Sequence, residues 1–510
     1  MLHAFVWYTS NLRQRLAPSL FLFSLPFIAI IGIAGIAAPE WLAAGAGAFT
    51  RAWFRSFDWF TMLLSTGTVV LSLILAFSRF GKIVLGNKGE KPEFSTLSWL
   101  SMLFAAGMGT GILFWGVAEP ITHYLGAPGL EAETESGAHY ALVLTALHWG
   151  LHAWSIYAIA GLVLAYFCFC HKRPYLPGEP IRSSFTGFWV EPTAKATDFL
   201  AIIAIVFGVA GSLTMGTQQI QSGLSLLFGI DRESNIVTTA ILLTLVVAYM
   251  TSAATSLDKG IKWLSNINIG ICVALGLFLL VTGPSLYLLK VFAISIGDYV
   301  RELPKLSTQL SPSSDGGGWF HDWTITYFLW WIAWAPFVGV FIARISRGRT
   351  IREFILGVIF VPTAFSMLWF AILGGAGLYA EMNGSSGLST VVAQDLTLAL
   401  FTLFEGFPLS KALSFTAILL VFVFLVTSVD SATFVLGMLT SQGSMNPPVR
   451  KKLAWGVTLG VLGGALTLSR NVDVVKSIAI LGAIPFSIFL VLQIVGFLKV
   501  LLRDERRKNP

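Results

Sequence analysis

Twelve long apolar runs, each close to the length that crosses a bilayer, divide this chain almost from end to end: about 18–40, 57–78, 97–118, 139–170, 197–228, 234–253, 262–288, 322–345, 354–380, 411–440, 452–469 and 476–502. A helix needs about 20 mostly apolar residues to cross the hydrocarbon core. The longer runs imply tilt or extension beyond the membrane. Charged residues make up only 12% of the 510, against 55% apolar, and the mean hydropathy is +0.77. Soluble chains carry roughly 25% charge, so soluble enzymes, disordered scaffolds and nucleic-acid binders are poor matches. The expectation is an all-α integral membrane protein. Its first run follows Arg13 and Arg15 but exceeds the apolar core of about 7–15 residues typical of a signal peptide, and so reads as an uncleaved span.

The net charge of +7 is a topology signal. With the N-terminus inside, most lysines and arginines fall in cytoplasmic segments, and an even number of spans returns the C-terminus to the same side. No nucleic-acid partner is needed to explain the basicity. The loop with Glu131, Glu133 and Glu135 reads as solvated. Cys168, Cys170 and Cys272 are too scattered for a metal site or a disulfide framework. Residues 288–305 are too short and charged to cross, and Val291, Ile294, Ile296, Tyr299 and Leu303 suggest an amphipathic helix along the membrane surface.

Two runs carry helix-disfavouring residues at mid-membrane depth. The third contains Gly107-Met108-Gly109-Thr110-Gly111, and the eighth Trp334-Ala335-Pro336-Phe337-Val338-Gly339. Proline removes a backbone donor, and glycine disfavours helix by roughly 1 kcal/mol relative to alanine. Small residues also let helices pack closely. The two irregular places are five runs apart, however, and interrupted helices at corresponding positions of two halves point to a transporter's binding site.

Aromatic residues cluster in the same region. Trp330, Trp331 and Trp334 share a helical face, as do Trp154 and Tyr157, with Trp149 nearby. Tryptophans such as Trp7, Trp41, Trp53 and Trp319 suit an interfacial belt, but these clusters lie inside their runs. A box of indole faces suits a quaternary ammonium, which has no N–H to donate and is held by cation–π attraction. No acid lies within either cluster, so a zwitterion fits better than a bare cation. Free N–H groups at Gly107, Met108, Gly109 and Gly111 would meet its carboxylate. Asp430 reads as a hydrogen-bond anchor, and His148 and His152 as packing or hydrogen-bonding groups rather than a proton relay. Thr427 and Ser428, with carbonyls around Ala105 and Met108, offer the oxygen ligands that sodium prefers.

The runs GMGTGILFWGVAEPITHY (107–124), HWGLHAWSIY (148–157), WWIAWAPFVGVFIARISRGRTIREF (330–354) and FLVTSVDSATFVLG (424–437) resemble stretches of the betaine/choline/carnitine transporter family. The resemblance implies 12 transmembrane helices: two N-terminal helices, then two inverted five-helix repeats of LeuT-like architecture, assembled as a homotrimer. The corresponding divisions are 1–96, 97–288, 289–321, 322–502 and 503–510. It further implies an aromatic cage of Trp149, Trp154, Tyr157, Trp330, Trp331 and Trp334. A sodium site at Ala105, Met108, Phe424, Thr427 and Ser428 follows by the same motifs, with gating aromatics at Phe337 and Phe341. No cofactor is implied beyond Na+ as coupling ion.

Three departures from family patterns narrow the expectation. Where FATIFGTA-like members offer two threonines for a second sodium, this chain reads AIVFGVA (204–210), and Ile205 and Val209 cannot ligate an ion. Sodium-independent exchangers carry a fixed cation in the fifth span, and none lies here between Lys195 and Arg232. Choline-type members tend to end the glycine run with an acid, and this one ends with Gly111. The expected activity is sodium-driven import of a methylated onium zwitterion, trimethylammonium or dimethylsulfonium, across a bacterial inner membrane with both termini cytoplasmic. Proton-coupled import, or substrate/product exchange of choline or carnitine, is the alternative. A membrane enzyme would need a nucleophile–base pair or metal cluster at depth, and a channel would not concentrate its substrate.

Overall fold

The computed structural model describes residues 20–87, 89–107, 109–129, 131–132, 134–255, 258–310, 318–384, 387–468 and 472–508. Among these, every regular element is helical, apart from one isolated bridge between Val84 and Thr350. All twelve apolar runs are helical, but several are not single helices. Helix α1 (Leu20–Ala37) leads directly into α2 (Pro39–Phe77), which kinks at Phe57, where the second run begins. The third run is two helices, α3 (Thr96–Gly107) and α4 (Gly111–Gly126). The fourth is also divided, into α5 (Glu135–Trp149) and α6 (Leu151–Ala165), and ends in a π-helical turn at Tyr166–Cys170. Short α7 (Glu179–Ser184) precedes α8 (Val190–Phe228), α9 (Asn235–Thr255), α10 (Asp258–Thr282) and α11 (Ser285–Leu306).

A π-helical turn at His321–Ile325 opens α12 (Thr326–Ile345), followed by α13 (Ile351–Met382) and two short helices, α14 (Leu388–Gln394) and α15 (Ala399–Glu405). The chain ends with α16 (Ser410–Leu439), α17 (Val449–Leu468), α18 (Val472–Leu481) and α19 (Ala483–Lys508). Eight helical stretches of the described residues, with α5–α6 and α18–α19 each counted as one, are long and apolar enough to cross a membrane, or nine if the bent α10–α11 pair counts as one. The first, third and eleventh runs fall outside that count. The apolar part of α1 covers only Leu20–Gly35, the third run is broken, and α17 opens on Arg450, Lys451 and Lys452.

The interior is built from α6, α8 and α12, with every residue from Ala201 to Ala210 buried. Helices at the periphery turn large apolar residues outward, among them Phe23 and Ile30 of α1 and Leu243 and Val247 of α9. That exposure suits lipid, in which apolar surface is not driven inward.

Two expectations need correction. The eighth run was expected to break near Pro336, yet α12 continues through it, and the irregular turn in this run lies earlier, at His321–Ile325. Packing holds the helix around the missing donor. Ile332, Ala333 and Ala335 are wholly buried. A Cβ added to Gly339 would stand 3.1 Å from the Gly161 backbone nitrogen. Tight neighbours of this kind tolerate an intrahelical proline. The inward face of α11 also differs from the one read in the sequence. The helix bends 114° away from α10. It buries Leu288, Val291, Ser295 and Tyr299, while Ile294 and Ile296 face outward. Both faces of α11 are apolar in part, so packing against its neighbours selects the buried one.

The loop after α12 works as a clamp. Arg347 pairs with Glu90 at 2.6 Å. Arg349 donates to the Phe94 carbonyl at 2.9 Å and stacks over Trp99, and Arg352 donates to the Ala76 carbonyl at 2.8 Å. Gly348 has φ +81°, and a Cβ there would collide with the Lys91 carbonyl oxygen at 2.2 Å. Only glycine passes at that point. The clamp ties the end of α2 and the start of α3 to the helix that carries most of the aromatic cluster.

Candidate functional site

The break in the third run opens onto a cavity of about 60 Å³. Gly109, Thr110 and Gly111 form its floor at the N-terminus of α4, and Phe114 and Trp115 follow one turn on. Trp149 enters from α5 and Tyr157 from α6. Tyr327, Trp330, Trp331 and Trp334 come from α12. Val209, Ser212 and Met215 of α8 and Leu425, Ser428 and Val429 of α16 complete the wall. None of the lining residues is charged. The first amides of a helix lack intrahelical acceptors and carry the positive end of its dipole. The floor therefore favours an anionic group, while the aromatic wall favours a cation.

The rings meet at angles that leave faces open. Trp149 and Trp331 lie edge to face at 5.0 Å, Tyr157 and Trp331 at 5.8 Å, and Trp149 and Tyr327 at 5.7 Å. Trp331 is fixed by its indole N–H, which donates to the His148 carbonyl at 2.7 Å. Trp334 approaches α8 across Gly208, where a Cβ would come within 3.1 Å of the indole. Trp154 is buried but does not line the cavity; it packs edge-on against Tyr157 at 5.7 Å.

The division of the fourth run explains this sorting. Gly150 (φ −102°, ψ −132°) interrupts the helix between Trp149 and the Trp154/Tyr157 pair. A Cβ there would meet the Ala146 carbonyl oxygen at 2.4 Å, and the Leu151 amide is satisfied from outside the helix by Tyr299 Oη at 3.1 Å. Uninterrupted helical arithmetic therefore does not relate Trp149 to the residues after it.

The largest omission from the sequence reading is Glu119, which is fully buried beside the cage. One carboxylate oxygen accepts from Trp149 Nε1 at 2.8 Å and from the Tyr327 hydroxyl. The other faces His148 Nδ1 at 2.8 Å and His123 Nε2 at 3.3 Å. An ionised carboxylate only accepts, so both facing ring nitrogens carry hydrogen. With four donors around it, Glu119 holds the Trp149 and Tyr327 rings in place. His148 also meets Thr324 at 3.0 Å and stacks on Tyr327 at 4.9 Å. His152 meets Thr66 and stacks on Phe328. The two histidines thus serve separate contacts. A helical signal for the missed ring was present, since Trp323, Tyr327 and Trp331 recur every fourth residue.

Of the proposed ion ligands, Ser428 faces the break, 3.8 Å from where a Cβ on Gly109 would stand. Thr427 is buried and donates its hydroxyl hydrogen to the Val423 and Phe424 carbonyls, leaving oxygen lone pairs to accept or ligate. Met108 and the side chain of Ala105 lie outside the described residues, as does the Gly107 burial. Phe424 and Phe337 are buried and Phe341 half-buried, with Phe337 5.6 Å from Trp334. Asp430 accepts from Ser252 of α9 at 2.9 Å, an anchor to a neighbouring helix.

Gly111 is the tightest point of the floor, because an added Cβ would stand 2.7 Å from Trp149 Cη2. Gly111→Ala is expected to push Trp149 off its position at a cost of about 1–3 kcal/mol. Ligand-induced quenching of tryptophan fluorescence, lost or right-shifted, is the readout.

An all-helical membrane protein with an aromatic cavity at a mid-span helix break has the build of a transporter. The profile of the betaine/carnitine/choline family transporters (BCCT) matches residues 19–506. This chain belongs to that family, whose members are transporters rather than enzymes. It is 43% identical over 454 residues to the glycine betaine transporter OpuD of Bacillus subtilis (strain 168), covering 88% of each chain. It is 39% identical over 453 residues to the ectoine/hydroxyectoine transporter of Virgibacillus pantothenticus, covering 88% of this chain and 90% of the other. The glycine betaine transporter of Acinetobacter baylyi is 38% identical over 506 residues, 98% of this chain and 75% of its own length. A Na+-coupled sialic acid symporter, solved substrate-bound and outward-open, shares the fold with a TM-score of 0.51 at 14% identity, over 85% of this chain and 86% of that one.

Proposed function

We propose that this chain imports a methylated onium zwitterion of the glycine betaine type by sodium symport, through alternating access. One observation carries the reading: the cavity joins an uncharged aromatic wall to a helix N-terminus, complementary to a cation and an anion joined by a short linker. A quaternary ammonium offers no hydrogen to donate, so ring faces hold it by cation–π attraction worth about 2 kcal/mol or more once desolvated. Its carboxylate meets the open amides at Gly109–Gly111. The relatives named for glycine betaine and for ectoine support a zwitterion with a delocalised or alkylated cation.

In this reading sodium binds between the third and tenth runs, at Thr427 and Ser428 with Phe424 and carbonyls near Ala105 and Met108, so that ion and substrate share the broken segment. Phe337, which packs against Trp334, and Phe341 act as gates in this reading. The twelve spans form two inverted five-helix repeats after two leading helices, in a homotrimer in the bacterial inner membrane with both termini cytoplasmic.

The test is uptake of labelled glycine betaine into liposomes holding equal potassium inside and out, under an inward sodium or an inward proton gradient. Accumulation with sodium alone supports the reading. Accumulation with protons alone, or uptake only into substrate-preloaded vesicles, replaces it with proton coupling or exchange. Thr427→Val should raise the sodium concentration for half-maximal uptake about tenfold, the scale of a ~1.4 kcal/mol loss in ligation.

A further inference from the structure

Lys476, midway along α18, lays its ammonium over two indoles beyond the cage. Its Nζ stands 4.7 Å from the ring centre of Trp323 and 5.3 Å from that of Trp115. Trp115 is itself part of the cavity wall. Trp323 meets Trp115 edge to face at 5.5 Å and lies nearly parallel to Tyr327 at 6.1 Å. These rings therefore continue the aromatic surface of the cage toward the end of the fold that carries the α4–α5 connection, the outer end in the orientation proposed above. The chain's own ammonium holds the faces on which an arriving cation would rest.

We propose that Lys476 is a specificity-determining residue that favours zwitterions over bare quaternary cations at the outer approach to the cage. The proposal rests on the onium-transport reading and adds the selection step to it. A bare cation arriving at Trp115 and Trp323 must compete with a tethered cation for the same ring faces, and it meets that cation as a like charge. A zwitterion also displaces the ammonium from the ring faces, but it brings a carboxylate that attracts the same ammonium. One residue thus hinders the first ligand and assists the second, a discrimination built from repulsion as much as from attraction.

The experiment measures displacement of labelled glycine betaine from the purified full-length protein by unlabelled glycine betaine and by choline. The readout is the ratio of their apparent affinities in wild type, Lys476→Gln and Lys476→Arg. Lys476→Gln is expected to narrow that ratio about tenfold, the equivalent of ~1.4 kcal/mol, choline gaining and glycine betaine losing. Lys476→Arg, still cationic and well suited to stacking, is expected to keep the wild-type ratio. If Lys476→Gln does not purify folded, Trp323→Phe tests the same hold on the ammonium and should shift the ratio in the same direction. Wild-type binding of glycine betaine with an unchanged ratio in the glutamine variant overturns the role of Lys476 while leaving the onium reading intact. Wild type that binds neither ligand overturns that reading and this proposal together.

Discussion

Glu119→Ala is expected to abolish measurable glycine betaine binding while leaving a membrane-inserted protein of reduced stability. The carboxylate accepts from Trp149, Tyr327, His148 and His123 at once. Interhelical hydrogen bonds in membranes average only about 0.6 kcal/mol each, so the three from Trp149, Tyr327 and His148 are worth roughly 2 kcal/mol together. Removing one partner of a buried charged network costs about 3–5 kcal/mol, because the remaining donors are stranded. The expected loss of stability lies between these bounds. The effect on binding is larger, since Trp149 and Tyr327 both lose the acceptor that orients them. Glu119→Gln keeps one acceptor oxygen but turns an N–H2 toward two of the four donors, and should recover binding only in part. Isothermal titration beside a thermal-shift assay in the same detergent checks this. Binding within threefold of wild type in the alanine variant would show that the cage holds its shape without Glu119.

Trp331→Leu is expected to weaken glycine betaine binding about 30-fold, the equivalent of losing ~2 kcal/mol of desolvated cation–π attraction. Trp331 touches Trp149, Tyr157 and Tyr327 and so closes three sides of the box. Its loss also frees the His148 carbonyl, which accepts the indole N–H. Every trimethylammonium ligand should lose affinity by a similar factor, because the ring senses the head group and not the linker. Trp154→Leu gives the contrast. It removes an indole of similar burial that does not line the cavity. That variant should lower thermal stability and leave affinity nearly unchanged. Equal losses of affinity at the two positions would mean that general packing, not ring faces, holds the ligand.

Much of this was legible one residue at a time. Apolar runs of membrane length require helices, since a lone strand or loop leaves its backbone unsatisfied in lipid. The glycines at 107–111 end one helix and begin another where their cluster implied. Trp330, Trp331 and Trp334 share a face of α12 by helical periodicity alone, and all three line the cavity. Helical arithmetic failed where the helix itself was interrupted. Gly150 reads as one weak residue in an apolar run, yet it resets the register between Trp149 and Trp154 and leaves Trp154 behind the wall.

The sequence by itself determined the membrane class, the helical segments, the break in the third run and most of the aromatic wall, because these follow from local periodicity and from residues that cannot continue a helix. Tertiary structure alone decided which irregularities matter. Pro336 does not break α12 because buried neighbours hold the turn around it. Gly150 does break the fourth run, with Tyr299 of a distant helix taking the amide freed there. Seven helices, α5 to α11, separate Glu119 on α4 from Tyr327 on α12; His123 is one turn away on the same helix, and only packing adds Trp149, His148 and Tyr327 to its carboxylate. A side chain's partners across helices depend on which faces meet, and no one-dimensional pattern encodes that meeting.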